Sequence, residues 1–200
     1  MINLETALLR ANLVGTMLDE PQLCYLYALA AMAPDGPSAE CGVYKGGSLA
    51  VWAAAREGRG PVYASDTWAT PRWLRALSEF ERIKRLCNEE WSLDVYTLQC
   101  SSWVAAGLAS AVEPVAFCFI DADHTVDGIP RDMQAWPQAI APGGILAMHD
   151  YISSKATCAV KHTVDAWQAK ANWHYLGIVG SIIAFMRPRN PDGPKIGGTK

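Results

Sequence analysis

The sequence predicts an α/β protein: an open, mostly parallel seven-stranded sheet with helices on both faces, ending in a C-terminal antiparallel hairpin. Three observations predict it. Short apolar segments with strand character alternate with helical segments along most of the chain, the pattern that buries a parallel sheet between helices. Two of these segments, Val115 to Ile120 and Ile145 to Met148, are apolar throughout, as strands covered on both faces are. Finally, Ala39-Glu40-Cys41-Gly42-Val43-Tyr44-Lys45-Gly46-Gly47-Ser48 is a short strand that breaks on glycines and opens the apolar run Leu49 to Ala55. Such a turn sets backbone N–H groups and a helix N-terminus against a small polar ligand.

At 200 residues the chain reads as a single domain over 1–186, large enough to bury a core without metal or disulfide staples. Half of the residues are hydrophobic, yet no apolar run approaches the ~20 residues of a membrane span, and a basic-then-apolar signal pattern is absent. A cytoplasmic protein is expected. The net charge of −3, without a basic cluster, leaves no electrostatic footprint for nucleic acid, so a small ligand is expected. The six cysteines are scattered singly with no C-x-x-C pair, and read as core thiols in a reducing compartment.

Residues 1–35 form a helical leader, in which Asp19-Glu20-Pro21 opens an apolar helix with proline in its first turn. After Pro34-Asp35-Gly36-Pro37 come the first strand, about 38–43, and a helix running to near Gly58 with Ser48 available as its N-cap. The second strand, Val62 to Ser65, ends on Asp66. A helix from Arg72 to Asn88 carries Leu74, Leu77, Phe80, Ile83 and Leu86 as an apolar stripe for the sheet. Then follow a strand at 93–98, a short helix at 102–111, the strand 115–120, and a helix from 126 to 140 stopped by Pro142-Gly143-Gly144. The strand 145–148, a helix over 155–171 and the hairpin 175–179 and 181–186 close the domain. The tail 187–200, rich in proline, glycine and charge, is expected to be disordered. This is a Rossmann-like arrangement, in which ligands lie beyond the carboxyl ends of the strands.

The polar residues at those ends are the candidates. Asp66 lies 24 residues after Gly42 at the end of the next strand, where an acidic side chain accepts hydrogen bonds from ribose hydroxyls. A role as a simple loop cap is the alternative. Neither G-x-x-x-x-G-K-[ST] nor G-x-G-x-x-G is present; the order is Gly42-x-x-x-Gly46-Gly47-Ser48. Asp121 and Asp150 end two strands that, if adjacent, lie about 4.7–4.9 Å apart, close enough for their carboxylates to meet on one hard cation such as magnesium. His149 joins them only if the chain turns there, since successive strand residues face opposite ways. His124, three residues past Asp121, is the best general-base candidate, because imidazole can take a proton near neutral pH.

Taken in order, Glu40-x-Gly42-x-Tyr44-x-Gly46-Gly47-Ser48, Asp66-x-Trp68, Ile120-Asp121-Ala122-Asp123-His124, and Pro142-Gly143-Gly144 with His149-Asp150-Tyr151 resemble the class I S-adenosylmethionine-dependent methyltransferases. The likeness is greatest to the small-molecule O-methyltransferase branch, with its macrocin- and mycinamicin-type sugar methyltransferases and, more distantly, the catechol and caffeoyl-coenzyme A enzymes. The resemblance implies that S-adenosyl-L-methionine is held by the loop Gly42, Tyr44, Gly46, Gly47 and Ser48. Glu40 would order that loop and bind the amino group, Asp66 would take the ribose, and Ser101 and Ser102 would lie near the adenine. It further implies Asp121, His149 and Asp150 as ligands of Mg2+ or another divalent cation, with Asp121 also facing the cofactor and His124 as the base. His149 departs from the family, which usually carries an acidic residue there, and Asp123 is a substitute.

The implied function is methyl transfer to a hydroxyl oxygen of a small molecule such as a sugar, a phenol or a natural product. The acceptor pocket would be built from the leader helices and from loops carrying Trp68, Trp73, Trp103 and Tyr151, and a homodimer is compatible with the exposed leader. Two other readings use the same sheet. An NAD-dependent oxidoreductase would share the glycine turn and Asp66 but lacks the dinucleotide glycine spacing and a Tyr-x-x-x-Lys pair. A catalytically inactive cofactor-binding module would keep the fold and account for His149.

Overall fold

The computed structural model describes residues 2–153 and 158–190. Its seven strands are β1 (Ser38–Cys41), β2 (Val62–Asp66), β3 (Val95–Gln99), β4 (Val115–Ile120), β5 (Ile140–Met148), β6 (His174–Val179) and β7 (Ile182–Met186). They lie in one sheet in the order β3-β2-β1-β4-β5-β7-β6. The first five are parallel, and β7 inserts antiparallel between β5 and β6. The strand order reverses between β1 and β4, so the crevice beyond their carboxyl ends is the switch point where such sheets take ligands.

Strand alternation divides the apolar side chains between two cores. Phe117 and Phe119 of β4, with Ile145 and Ala147 of β5, point to one face, while Cys118, Ile120, Leu146 and Met148 point to the other. The first face is covered by α1 (Leu4–Val14), α2 (Glu20–Met32), α3 (Gly47–Trp52) and α4 (Pro71–Glu90), the second by α5 (Ser102–Ala109), α6 (Gly128–Ala139) and α7 (Val160–Gln168). All six residues of β4 are buried, as its unbroken apolar sequence requires. No helix among the described residues is long and apolar enough to cross a membrane.

Local chemistry sets the helix starts. Asp19 accepts from the backbone of Gln22 while the Gln22 side chain returns a bond to the Asp19 N–H, a capping box with Pro21 in the first turn. In α4, Phe80 and Ile83 are buried under the stripe expected of them, whereas Leu74, one turn from the helix start, is half exposed. Boundaries moved where backbone bonding overrode pattern. Strand β1 stops at Cys41 because Gly42, at φ +85°, turns the chain. The helix expected to reach Gly58 tightens after Trp52 into a 3-10 turn, Ala53–Arg56, whose Arg56 is fully buried and donates to the carbonyls of Ala30, Ala33 and Gly36.

The Pro142-Gly143-Gly144 stretch does not end a helix. It lies inside β5, which begins at Ile140 opposite Val115, and α6 ends one residue earlier. The expected tail also starts differently: Arg187 exchanges backbone bonds of 2.9 Å with Gly143 and Gly144, and its guanidinium donates to the Ile140 carbonyl. Residues 191–200 of that tail and 155–157 of the helix expected over 155–171 lie outside the described residues. Within that range α7 begins at Val160.

Candidate active site

The turn after β1 is shaped by contacts that leave no room for side chains. A Cβ on Gly42 would overlap the backbone carbonyl of Asp121, and the Gly42 N–H is spent on the Ser65 carbonyl at 2.8 Å. Gly47 lies under the α1–α2 connector, where a Cβ would meet Gly15 O at 2.8 Å and Thr16 Cβ at 2.9 Å. Gly46 serves a different purpose: it is the left-handed N-cap of α3 and packs towards Phe80 and Ile83 of α4. Ser48 is therefore not the cap. Its hydroxyl donates to Glu40 at 2.6 Å, and the Trp52 indole N–H donates to the other oxygen of the same carboxylate.

Glu40 is wholly buried and faces Ser48 and Trp52 rather than the open crevice. Burial pushes its pKa up to about 8, against the pull of those two donors. It shapes the loop from beneath. Asp66 stands in the crevice and is held from both sides, one oxygen by the Tyr44 N–H at 2.9 Å and the other by the Trp68 N–H at 3.0 Å. Each oxygen keeps a lone pair for a ligand hydroxyl. The Trp68 indole, expected near a substrate, is fully buried and donates instead to the Tyr44 carbonyl, which locks the loop to Asp66.

These groups open on a cavity of about 650 Å3 at the switch point. Of the residues expected there, Gly42, Tyr44, Gly47, Ser48, Asp66, Ser101, Ser102, Asp121, His124 and Asp150 line it, and so do Trp73 and Trp103. Glu40, Gly46, His149, Trp68 and Tyr151 do not. Among the lining residues that escaped the sequence reading are Gly15, Thr16, Met17 and Leu18, the connector between α1 and α2, together with Thr67, Cys100, Thr125 and Cys158. The connector's signal was Gly15 itself, which ends α1 at φ +87°.

At the far end of the cavity Asp121, His124 and Asp150 converge, with one ligating atom of each within 4.8 Å of the others. His124 Nε2 is 3.3 Å from Asp150 Oδ2 and 3.8 Å from Asp121 Oδ1. The chain does turn at Asp150, which adopts φ +57°. His149, expected as a ligand, is placed otherwise: its Nδ1 faces Asp121 Oδ1 at 3.0 Å and its Nε2 faces Ser181 Oγ at 2.8 Å and the Gln22 amide at 3.3 Å. Both ring nitrogens are thereby engaged with the protein. The metal-competent trio among the described residues is Asp121, His124 and Asp150.

With the geometry in place, the chain can be compared with known proteins. Residues 39–151, more than half of the sequence, match the family described as methyltransferase domain. The chain belongs to this methyltransferase family. The matched region runs from β1 through Tyr151 and so contains every strand end that lines the cavity on the parallel side. Similar folds occur in the O-methyltransferase NovP, at 20% identity over 87% of this chain and 82% of that one, with a TM-score of 0.63. An O-methyltransferase from Bacillus cereus solved in complex with SAH has 18% identity, coverage of 92% and 89%, and a TM-score of 0.62. The cofactor-bound protein Rv0187 from MTB has 17% identity, coverage of 93% and 89%, and a TM-score of 0.68. This methyltransferase therefore has the Rossmann-like sheet expected from its sequence, with the C-terminal antiparallel strands in place.

Proposed function

We propose that this methyltransferase uses S-adenosyl-L-methionine to methylate a hydroxyl oxygen of a small molecule. The observation that carries the reading is a single cavity joining a ribose-type acid, Asp66, to a base between two carboxylates, His124 between Asp121 and Asp150. The methionine part would lie against the Gly42–Gly47 turn and the connector Gly15–Leu18, where missing side chains leave room for a close backbone approach. The names of the SAH-bound relative and of NovP support the cofactor and the oxygen acceptor.

The donor set fits a hard cation, since Asp121 and Asp150 offer two carboxylates within reach of each other. Those two residues would hold Mg2+ or a similar ion, which when bound lowers the pKa of an acceptor hydroxyl. His124 takes the hydroxyl proton at Nε2, and the two carboxylates pair with the imidazolium that results. His149 fixes Asp121 through Nδ1, so the carboxylate keeps its direction while the proton moves. Trp73 and Trp103 at the cavity wall offer flat apolar faces to a sugar or phenol. Because the methyl donor is already activated, most of the acceleration comes from holding the reacting oxygen, carbon and sulfur in line, worth up to ~7–11 kcal/mol, with base catalysis adding roughly 10²–10⁴-fold.

Titration calorimetry of the purified protein with S-adenosyl-L-methionine and with NAD, each with magnesium or with EDTA, tests the reading. Micromolar binding of the first is expected. Binding of NAD in its place would overturn it.

A further inference from the structure

The cap of α2 carries more donors than a helix start needs. Gln22 is buried, and its Oε1 accepts the Asp19 N–H at 3.1 Å, the return bond of the capping box. A backbone N–H can only donate, so this bond fixes which way round the amide lies and leaves its two N–H groups for other partners. They face Ser181 Oγ at 3.0 Å and His149 Nε2 at 3.3 Å. Neither contact belongs to the cap.

Both partners come from far along the chain. Ser181 lies in the turn between β6 and β7, 159 residues from Gln22. Gly180 lets that turn close over the amide: at φ +56°, a Cβ there would meet Gln22 Cγ at 2.8 Å. The Ser181 carbonyl accepts the Tyr151 N–H at 3.0 Å, which ties the same turn to the segment after β5 where His149 and Asp150 stand.

With the amide fixed, the place of the His149 proton follows. A proton on Nε2 would stand against the amide N–H, donor to donor, so Nε2 carries its lone pair instead. Ser181 accepts the amide N–H and gives its own proton to Nε2 at 2.8 Å. The ring proton is then on Nδ1, which donates to Asp121 Oδ1 at 3.0 Å. With its lone pair taken, His149 has none left for a cation or for an acceptor's proton, and it is His124 that lines the cavity.

We propose that Gln22 is a positioning residue for the acceptor end of the site: its amide holds His149 with the ring proton on Nδ1, and that proton holds Asp121. Its bearing on the reaction rests on the proposed function, in which Asp121 is a cation ligand. Loss of such an outer partner typically costs about 10–100-fold in metal affinity, because the ligand is then free to turn. A helix cap on the far side of His149 thereby sets how well Asp121 takes its ion.

Long-range proton-nitrogen NMR of the imidazole rings in the full chain tests this, with His149 assigned by the signals lost in His149→Asn. In wild type a protonated Nδ1 and a bare Nε2 are expected. Gln22→Glu keeps the cap, since glutamate serves equally at that position, but sets a carboxylate oxygen against Nε2, and a proton is expected there. Calorimetric titration with Mn2+ in the presence of S-adenosyl-L-homocysteine should then show an affinity lower by about tenfold or more. Ser181→Ala leaves the amide in place, so the wild-type ring pattern is expected, with Mn2+ affinity within about threefold of wild type. A proton on Nε2 in wild type or in Ser181→Ala overturns the inference. So does an unchanged ring in Gln22→Glu, even if Mn2+ affinity has fallen, since loosened packing would do that. If Gln22→Glu does not fold, the wild-type and Ser181→Ala rings decide. Expected ring patterns with no Mn2+ binding to any of the proteins overturn the cation reading and leave the hold of Gln22 on His149 and Asp121 standing.

Discussion

At the scale of single residues, His124 and Glu40 show how the same chain uses ionisable groups in opposite ways. His124 is partly exposed at the far end of the cavity with carboxylates on two sides, where in the proposed reaction it would take the acceptor's proton. His124→Ala is expected to lower turnover by roughly 10²–10⁴-fold while S-adenosyl-L-homocysteine affinity changes little, and equal losses in both would remove it as the base. Glu40 is sealed off. Its folded pKa of about 8 stands above the usual 4.5, so the folded protein keeps a proton that the unfolded chain releases. The stability this contributes is present in full below the unfolded value and falls as pH rises through the window up to about 8. In Glu40→Gln that fall should shrink, so the melting temperature of the variant relative to wild type should climb between pH ~5 and ~8. Asp132, pushed up to about 7, adds a fall of the same sign that persists in the variant.

Elements meet at the site through backbone contacts that side chains would block. The β1–α3 turn touches β4 at Gly42 and the α1–α2 connector at Gly47. Gly42→Ala would force a Cβ onto the Asp121 carbonyl at a positive φ, which alone costs about 1–3 kcal/mol; denaturant melts should show at least that loss. Gly47→Leu should act differently. It displaces the connector from the cavity rim, so cofactor affinity is expected to drop by about tenfold or more while the sheet's far-UV signal is kept, as calorimetry and circular dichroism would show. The 3-10 turn after α3 is tied to α2 by Arg56, whose fork serves three carbonyls. Replacing it by Lys should cost on the order of 3 kcal/mol in chemical denaturation, because an ammonium cannot present the same planar set of donors in the space available.

Over the whole molecule, two apolar cores sandwich one sheet, and the cavity opens where strand order reverses. That placement is why a nucleoside-sized ligand can bridge residues as distant in sequence as Met17, Asp66, Ser102 and Asp150. Ligand binding should consequently stabilise the fold as a unit: S-adenosyl-L-homocysteine at a hundred times its Kd is expected to add about 2.7 kcal/mol, read as a single shifted melting transition. The strands, the glycine turn and the acids at the strand ends were all legible in the sequence. They follow from local rules, namely apolar runs, backbone freedom at glycine and the direction of parallel strands. The family match over 39–151 coincides with the motifs that carried the resemblance. The sequence by itself thus determined the mostly parallel sheet, the strand ends beyond which ligands lie, and Asp66, Asp121, His124 and Asp150 as the polar residues there. Tertiary structure alone decided how those residues are shared out. It buried Glu40, Trp68 and Asp132, drew His149 to Gln22 and Ser181, and brought His124 between two aspartates. The reason is reach: each of these placements depends on what a distant segment contributes at the point of contact, and neither periodicity nor spacing along the chain records that.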